Sequence, residues 1–414
     1  MALDPDPAAA PALTAPRGFV LSAALSNWSL WTALLTPGIL TLAIRVPQIA
    51  GDDYEGVYSL VLTTGVLVGM FGNPLWGRLS DRTRSRFGRR RPWIALGALA
   101  GVAGTAVIAL TPHVWTLVLG WLLAQAGFNA ALAATMATVP ELVPAKDQGR
   151  VSGAFGAAIT GGFLTGSLIA AITQDTTVMF LLPCALVLVC TGAFVLTLHD
   201  PPVDAPRKPF SLKEFVGTFG FDPRRHRQFG WVWLTKFCFT AGLAAPSSYM
   251  VFYLAARLGL SAAEAAAVVG LVFTANFSVQ TAVALTTGWV SDRIGRRRPF
   301  VVAAGLLAAT GLVVMAFADG LPQILAGQAF ITLAGGLFGA MDGVLVFQTL
   351  PDRDAPAKDL GVANLANGAP LAILPPLAAA LVAAGDSDYT LLFLICSGFA
   401  LAAVAAVSRV KSVR

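Results

Sequence analysis

Twelve stretches of the chain run for about 20 residues with almost only apolar and small side chains, and the polar residues gather in the short segments between them. Such a stretch can cross a bilayer only as a helix, because the hydrocarbon interior offers backbone groups no partner outside the segment. The pattern predicts helices over 19–44, 57–77, 93–112, 115–138, 151–173 and 177–198, then over 230–254, 265–288, 300–318, 321–349, 361–384 and 389–408. The expected fold class is an all-α polytopic membrane protein with twelve transmembrane helices in two pseudo-symmetric six-helix bundles.

The one long connection, HDPPVDAPRKPFSLKEFVGTFGFDPRRHRQF, divides the chain. The expected organisation is a disordered tail over 1–18, a bundle over 19–198, a linker over 199–229, a second bundle over 230–408 and a tail over 409–414. Within the linker, Ser211 and Glu214 form a capping box, with Leu212, Phe215, Val216 and Phe219 on one face of a short interfacial helix. It serves either as a hinge between the halves or as a passive amphipathic linker on the headgroups. An internal repeat supports the division. GRLSDRTRSRFGRRRP at 77–92 recurs as GWVSDRIGRRRP at 288–299, and VPELVPAKDQG at 139–149 recurs as LPDRDAPAKDLG at 350–361. Parallel six-helix repeats are a transporter architecture with solute bound near the midplane between them.

Composition excludes the soluble alternative. The 414 residues are 56% hydrophobic and 12% charged, with a mean hydropathy of +0.72, where a soluble chain would carry about a quarter charged residues. A net charge of +6 raises nucleic acid as a partner, but that needs a basic soluble face. Here the cations lie in short runs between apolar stretches, which excludes it. Short basic loops stay on the cytoplasmic side. With the N-terminus inside, that side carries 26 cations and 13 anions and the other side 2 and 8, leaving Asp342 within a span. Both termini are then cytoplasmic, and the expected location is a bacterial plasma membrane. Residues 1–16 lack the basic start of a cleaved signal peptide. Cys184, Cys190, Cys238 and Cys396 sit in apolar segments without CxxC spacing, and His113, His199 and His226 are scattered, so no disulfide, metal or cofactor is expected.

The repeated loop carries a resemblance. Gly77, Asp81, Arg82, Gly88, Arg89 and Arg90, echoed by Gly288, Asp292, Arg293, Gly295, Arg296 and Arg297, resemble the loop motif of the major facilitator superfamily. Asn73-Pro74 leading into SDRTRSRFGRRRPW is similar to the glycoside-pentoside-hexuronide cation symporters and the sucrose porters. The resemblance implies that these loops hold the cytoplasmic side closed when the outside is open, with Glu141 and Arg150 in the charge network of the first. An aspartate at a helix end can accept from arginines and face a neighbouring helix N-terminus, though the arginines also serve topology alone. There is one departure. Melibiose-type symporters carry two acids in the second helix, and Gly69 and Asn73 stand there instead. The resemblance then implies no sodium site of that type, leaving proton coupling, another arrangement, or no coupling.

Ionisable groups within spans are costly and point to function. Asp342 in GGLFGAMDGVLVF is the candidate proton carrier, or else an ion-pair partner near the helix end. Lys236, a turn and a half inside the seventh helix, either binds an anionic solute or, as preferred here, snorkels to the headgroups. Gln125 and Asn129 on the fourth helix and Asn276 and Gln280 on the eighth are i,i+4 pairs, each sharing one face. With Asn27, Trp28, Trp31 and Gln328 they are candidate solute contacts, since amides beside aromatic rings suit a polyhydroxylated ligand. Interhelical hydrogen bonding is the competing role. The run Gly153–Gly166 is expected to allow close helix packing.

The expected function is secondary transport by a monomer: a small polar solute, a sugar or glycoside, moved with protons by rocking of two halves. Drug or metabolite efflux is the alternative within transport. A transporter-like nutrient receptor is disfavoured by tails of 16 and about six residues. No paired carboxylates, nucleophile–histidine set or phosphate-binding loop suggests an enzyme.

Overall fold

The computed structural model describes residues 18–173, 175–200, 224, 226–351, 356–384 and 388–410, excepting the side chains at 52, 140, 145–150, 152 and 356–361. Twelve helices among them are long and apolar enough to span a membrane. They are α1 (Phe19–Ala50), α2 (Tyr54–Asp81), α3 (Arg91–Leu110), α4 (Val114–Leu142), α5 (Ala145–Ile172), α6 (Thr176–Thr197), α7 (Arg227–Leu258), α8 (Ala262–Ile294), α9 (Arg298–Ala316), α10 (Leu321–Thr349), α11 (Pro356–Ala384) and α12 (Thr390–Val407). The interfacial helix expected over 211–219 lies outside the described residues.

Several helices run past their apolar stretches. Extension of α1 to Ala50 brings Arg45 inside a helix, where its guanidinium donates to the carbonyls of Ile108, Ala109 and Thr111 at the end of α3. A cation there satisfies carbonyls that the helix end leaves open. Pro37 lacks the N–H that would reach back one turn, and the turn over Pro37–Thr41 is a π turn.

The halves are packed alike. In the first, α1 lies on α5 and α6, α4 on α2 and α3, and α3 on α6; in the second, α7 lies on α11 and α12, α10 on α8 and α9, and α9 on α12. Shifting every number by six converts one set into the other. The α3–α4 contact is backbone against backbone: a Cβ at Gly104 would stand 2.5 Å from the Gly120 carbonyl, and one at Gly127 2.5 Å from that of Gly97. Small residues permit this approach where apolar lipid gives helices no hydrophobic reason to associate.

Between the halves, α2 meets α11 and α5 meets α8. The contacts gather away from the arginine loops. Tyr58 donates to the Ser248 carbonyl at 3.0 Å and packs edge-on against Tyr249 and Phe252; Thr63 donates to the Ala372 carbonyl at 3.0 Å. Phe163 of α5 packs with tilted rings against Phe273 and Phe277 of α8. Tyr389 reaches across to Glu55. Towards the end that carries the arginine loops, the basic end, a cavity opens instead.

Candidate solute cavity and gating loops

The first arginine loop is built around Arg90. Its side chain is 5% exposed and pairs with Asp81 and with Glu141, the latter at 2.5 Å, while its guanidinium also donates to Ser80. Burial alone would lower the Arg90 pKa, and Glu141 and Asp81 more than reverse this, so the group stands above its ordinary value. Arg89 adds a second contact to Glu141 at 2.7 Å. The N-terminus of α3 is met by Asp200, whose Oδ2 accepts from the backbone N–H of Arg90 and Arg91 at 2.6 and 2.8 Å. Sequence reasoning gave the role of facing a helix N-terminus to Asp81; Asp200, arriving from beyond α6, performs it. Gly88 has φ +92 and presses against the Asp200 carboxyl, leaving no room for a Cβ. Gly77 and Arg82 belong to the last turn of α2 and its cap. The Arg150 side chain lies outside the described residues.

The repeat is simpler. Arg297 pairs with Asp292 at 2.8 Å, Arg293 lies over the Trp289 ring, and Arg296 is exposed. Gly295 takes φ +68 at the end of α8, and Gly288 faces open space. The ion pairs that Arg89, Arg90 and Arg297 make in these loops stay within their own half.

In the basic half of the molecule lies a cavity of about 460 Å³, walled by Asn27, Trp31, Asn73, Asn129, Leu132, Ala133, Met136, Phe155, Gly156 and Ile159. It therefore contains three of the predicted contacts, Asn27, Trp31 and Asn129. Asn129 donates to the Gln125 side-chain and backbone oxygens at 2.9 and 2.8 Å, so the i,i+4 pair holds itself in place. Gly69 faces these amides: a Cβ there would stand 3.5 Å from Asn129 Nδ2 and 3.7 Å from Gln125 Oε1, in ordinary contact. The position that the resemblance gives to an acid is thus packed against neutral amides. Asn27 is 1% exposed, and both its amide atoms lack a hydrogen-bond partner. A buried amide left so costs about 1–3 kcal/mol, which a ligand or water in the cavity would offset.

Other predicted contacts fall elsewhere. Trp28 donates to Thr165 at 3.1 Å and joins α1 to α5. Gln280 packs on Gly335 of α10, Asn276 is half-buried on α8, and Gln328 is buried with its amide 3.6 Å from the Met250 sulfur. Within 153–166, Gly161, Gly162 and Gly166 pack on α1, whereas Gly153 and Gly156 face open space. Asn73, Met136 and Phe155 are wall residues that sequence reasoning did not assign to solute, since their facing depends on how α2, α4 and α5 pack.

Lys236 does not snorkel. Its Nζ lies 2.7 Å from Asp342 Oδ2, joining α7 to α10, and the lysine is 5% exposed. Phe239 and Phe338, one turn away towards the midplane, stack with centroids 3.9 Å apart.

Comparison with known proteins follows this architecture. Residues 18–271 and 264–413 match the family model of the Major Facilitator Superfamily. Human proton-associated sugar transporter A is 34% identical over 115 residues, covering 25% of this chain and 14% of that protein. Sucrose transport protein SUC4 of Arabidopsis thaliana is 40% identical over 74 residues, covering 18% and 13%. The chain thus spans less than a sixth of each relative's length in these matches. A crystal structure of the nucleoside transporter NupG superposes with a TM-score of 0.74 over 95% of this chain and 98% of that one, at 13% identity, a likeness of fold. With a family model matching nearly the whole length and a repeat that packs each half in the same order, the chain belongs to the major facilitator superfamily and is a multi-pass membrane transporter, not an enzyme.

Proposed function

We propose that the protein carries a sugar or glycoside across a bacterial plasma membrane together with protons, as a monomer working by alternating access. Asn27 carries this reading: an amide with no partner, in the wall of a cavity it shares with Asn129, Asn73 and Trp31. Hydroxyls supply the donors and acceptors such amides lack, and an indole face suits the C–H face of a sugar ring. The sugar and sucrose names borne by the partial relatives support the same class. Neutral amides against Gly69 support protons over sodium as the coupling ion, with Asp342 as the proton carrier.

With the arginine loops on the cytoplasmic side, the cavity opens inward and the Tyr58 and Phe163 contacts close the outer side. Rocking would separate those contacts and bring the loops of the two halves together. The test is uptake into proteoliposomes of a panel of labelled neutral and acidic saccharides, with and without an inward pH gradient. At least one is expected to accumulate under the gradient and to lose accumulation in Asp342→Asn; no uptake across the panel contradicts the proposal.

A further inference from the structure

Equivalent positions of the two halves carry different chemistry. Asn27 stands ten residues before Pro37 in α1, and Lys236 stands ten residues before Pro246 in α7. Both lie at a similar depth from the basic end, about 12–14 Å at 1.5 Å per residue. Where the first half presents an uncharged amide, the second presents a buried ammonium paired with Asp342. Asp342 keeps 25% of its side-chain surface open, one turn from the open space at Gly339.

Charges elsewhere on these elements stand away from the pair. On α7 they are Arg227 and Arg257 near its ends; on α8, Glu264, Asp292 and Arg293; on α9, Arg298. The α11 helix also carries Lys358 and Asp359, whose side chains lie outside the described residues. The further titratable groups of α7 are Cys238, Tyr249 and Tyr253, and α12 brings Cys396. Among the described side chains, none is an anion placed to replace Asp342.

A proton reaching Asp342 would therefore leave the Lys236 ammonium buried without a counter-ion, a strongly unfavourable state. Another carboxylate arriving with the proton removes that penalty, because it offers the same two acceptor oxygens. We propose that Lys236 is the receptor for a carboxylate on the solute, so that the cargo is a polyhydroxylated monocarboxylate whose hydroxyls meet Asn27 and Asn129. The inference rests on the transport reading above and sharpens its substrate class. In the step, a proton from water bonds to Asp342, the Lys236–Asp342 pair separates and Lys236 pairs with the solute. No covalent bond of the solute changes, and one anion and one proton cross with no net charge.

Gluconate and glucose are matched probes in proteoliposomes. Gluconate is expected to accumulate under an inward pH gradient, indifferent to an imposed membrane potential, at a rate at least tenfold above glucose. Asp342→Asn should lose that accumulation, Lys236→Gln should lose gluconate exchange at equal pH, and Lys236→Arg should retain it. The double variant Lys236→Gln/Asp342→Asn holds no buried charge; it should stay monodisperse and lose gluconate exchange. Glucose accumulation with gluconate ignored overturns this inference and leaves sugar transport standing. Unchanged gluconate exchange in the double variant also overturns it, as does uptake of neither probe, whereas the transport reading falls only with the whole saccharide panel.

Discussion

Arg90 and Arg297 occupy equivalent positions in two loops of nearly the same sequence, yet one is sealed among partners and the other is tied to a single carboxylate at the surface. Arg90 meets Asp81, Glu141 and Ser80, with Asp200 holding the adjoining backbone. Arg297 meets Asp292, whose side chain is 69% exposed. The neighbouring arginines behave alike: Arg91 donates to the Val195 carbonyl at the end of α6, and Arg298 to the Ser408 carbonyl at the end of α12. A repeated motif therefore fixes where charges sit, while burial decides what they are worth. An exposed pair contributes about 0–1 kcal/mol, whereas breaking a buried one costs about 3–5 kcal/mol.

The contrast should be sharpest in Arg90→Met, which removes the buried cation that Asp81 and Glu141 share and leaves Glu141 only its contact with Arg89. A loss of about 3 kcal/mol is expected in detergent unfolding titrations, near the lower end for buried pairs because Asp81 is half exposed. Gly88→Ala should follow at about 2 kcal/mol, from a left-handed backbone and the Asp200 collision together, against about 1 kcal/mol for Gly295→Ala, which has open space around it. Asp200→Ala removes a helix cap and should cost about 1 kcal/mol on the same titration. Arg297→Met should cost less than about 0.5 kcal/mol and vanish at molar salt, where the Arg90 effect persists. Equal losses in the two arginine variants would erase the difference between the halves.

Features marked by local pattern were legible in the sequence: twelve apolar runs, a repeat offset by 211 at Gly77 and Gly288, and the i,i+4 spacing of Gln125 and Asn129. What escaped depends on segments meeting across the chain. Nothing around Asp200 announces that it will cap a helix starting 109 residues earlier. Lys236 read alone suggests snorkelling, because its partner lies 106 residues away on α10. Gln280 and Gln328 carry the same amide group as Asn129, but their helices turn them onto Gly335 and Met250 instead of the cavity.

A cavity behind Asn27 and Asn129 that holds the transported solute makes solute exchange across proteoliposomes, without any ion gradient, depend on both asparagines. With a saccharide that the wild type exchanges, Asn27→Ala and Asn129→Ala are expected to slow exchange at least tenfold while Arg297→Met leaves it within twofold. Undiminished exchange in both asparagine variants would contradict the account.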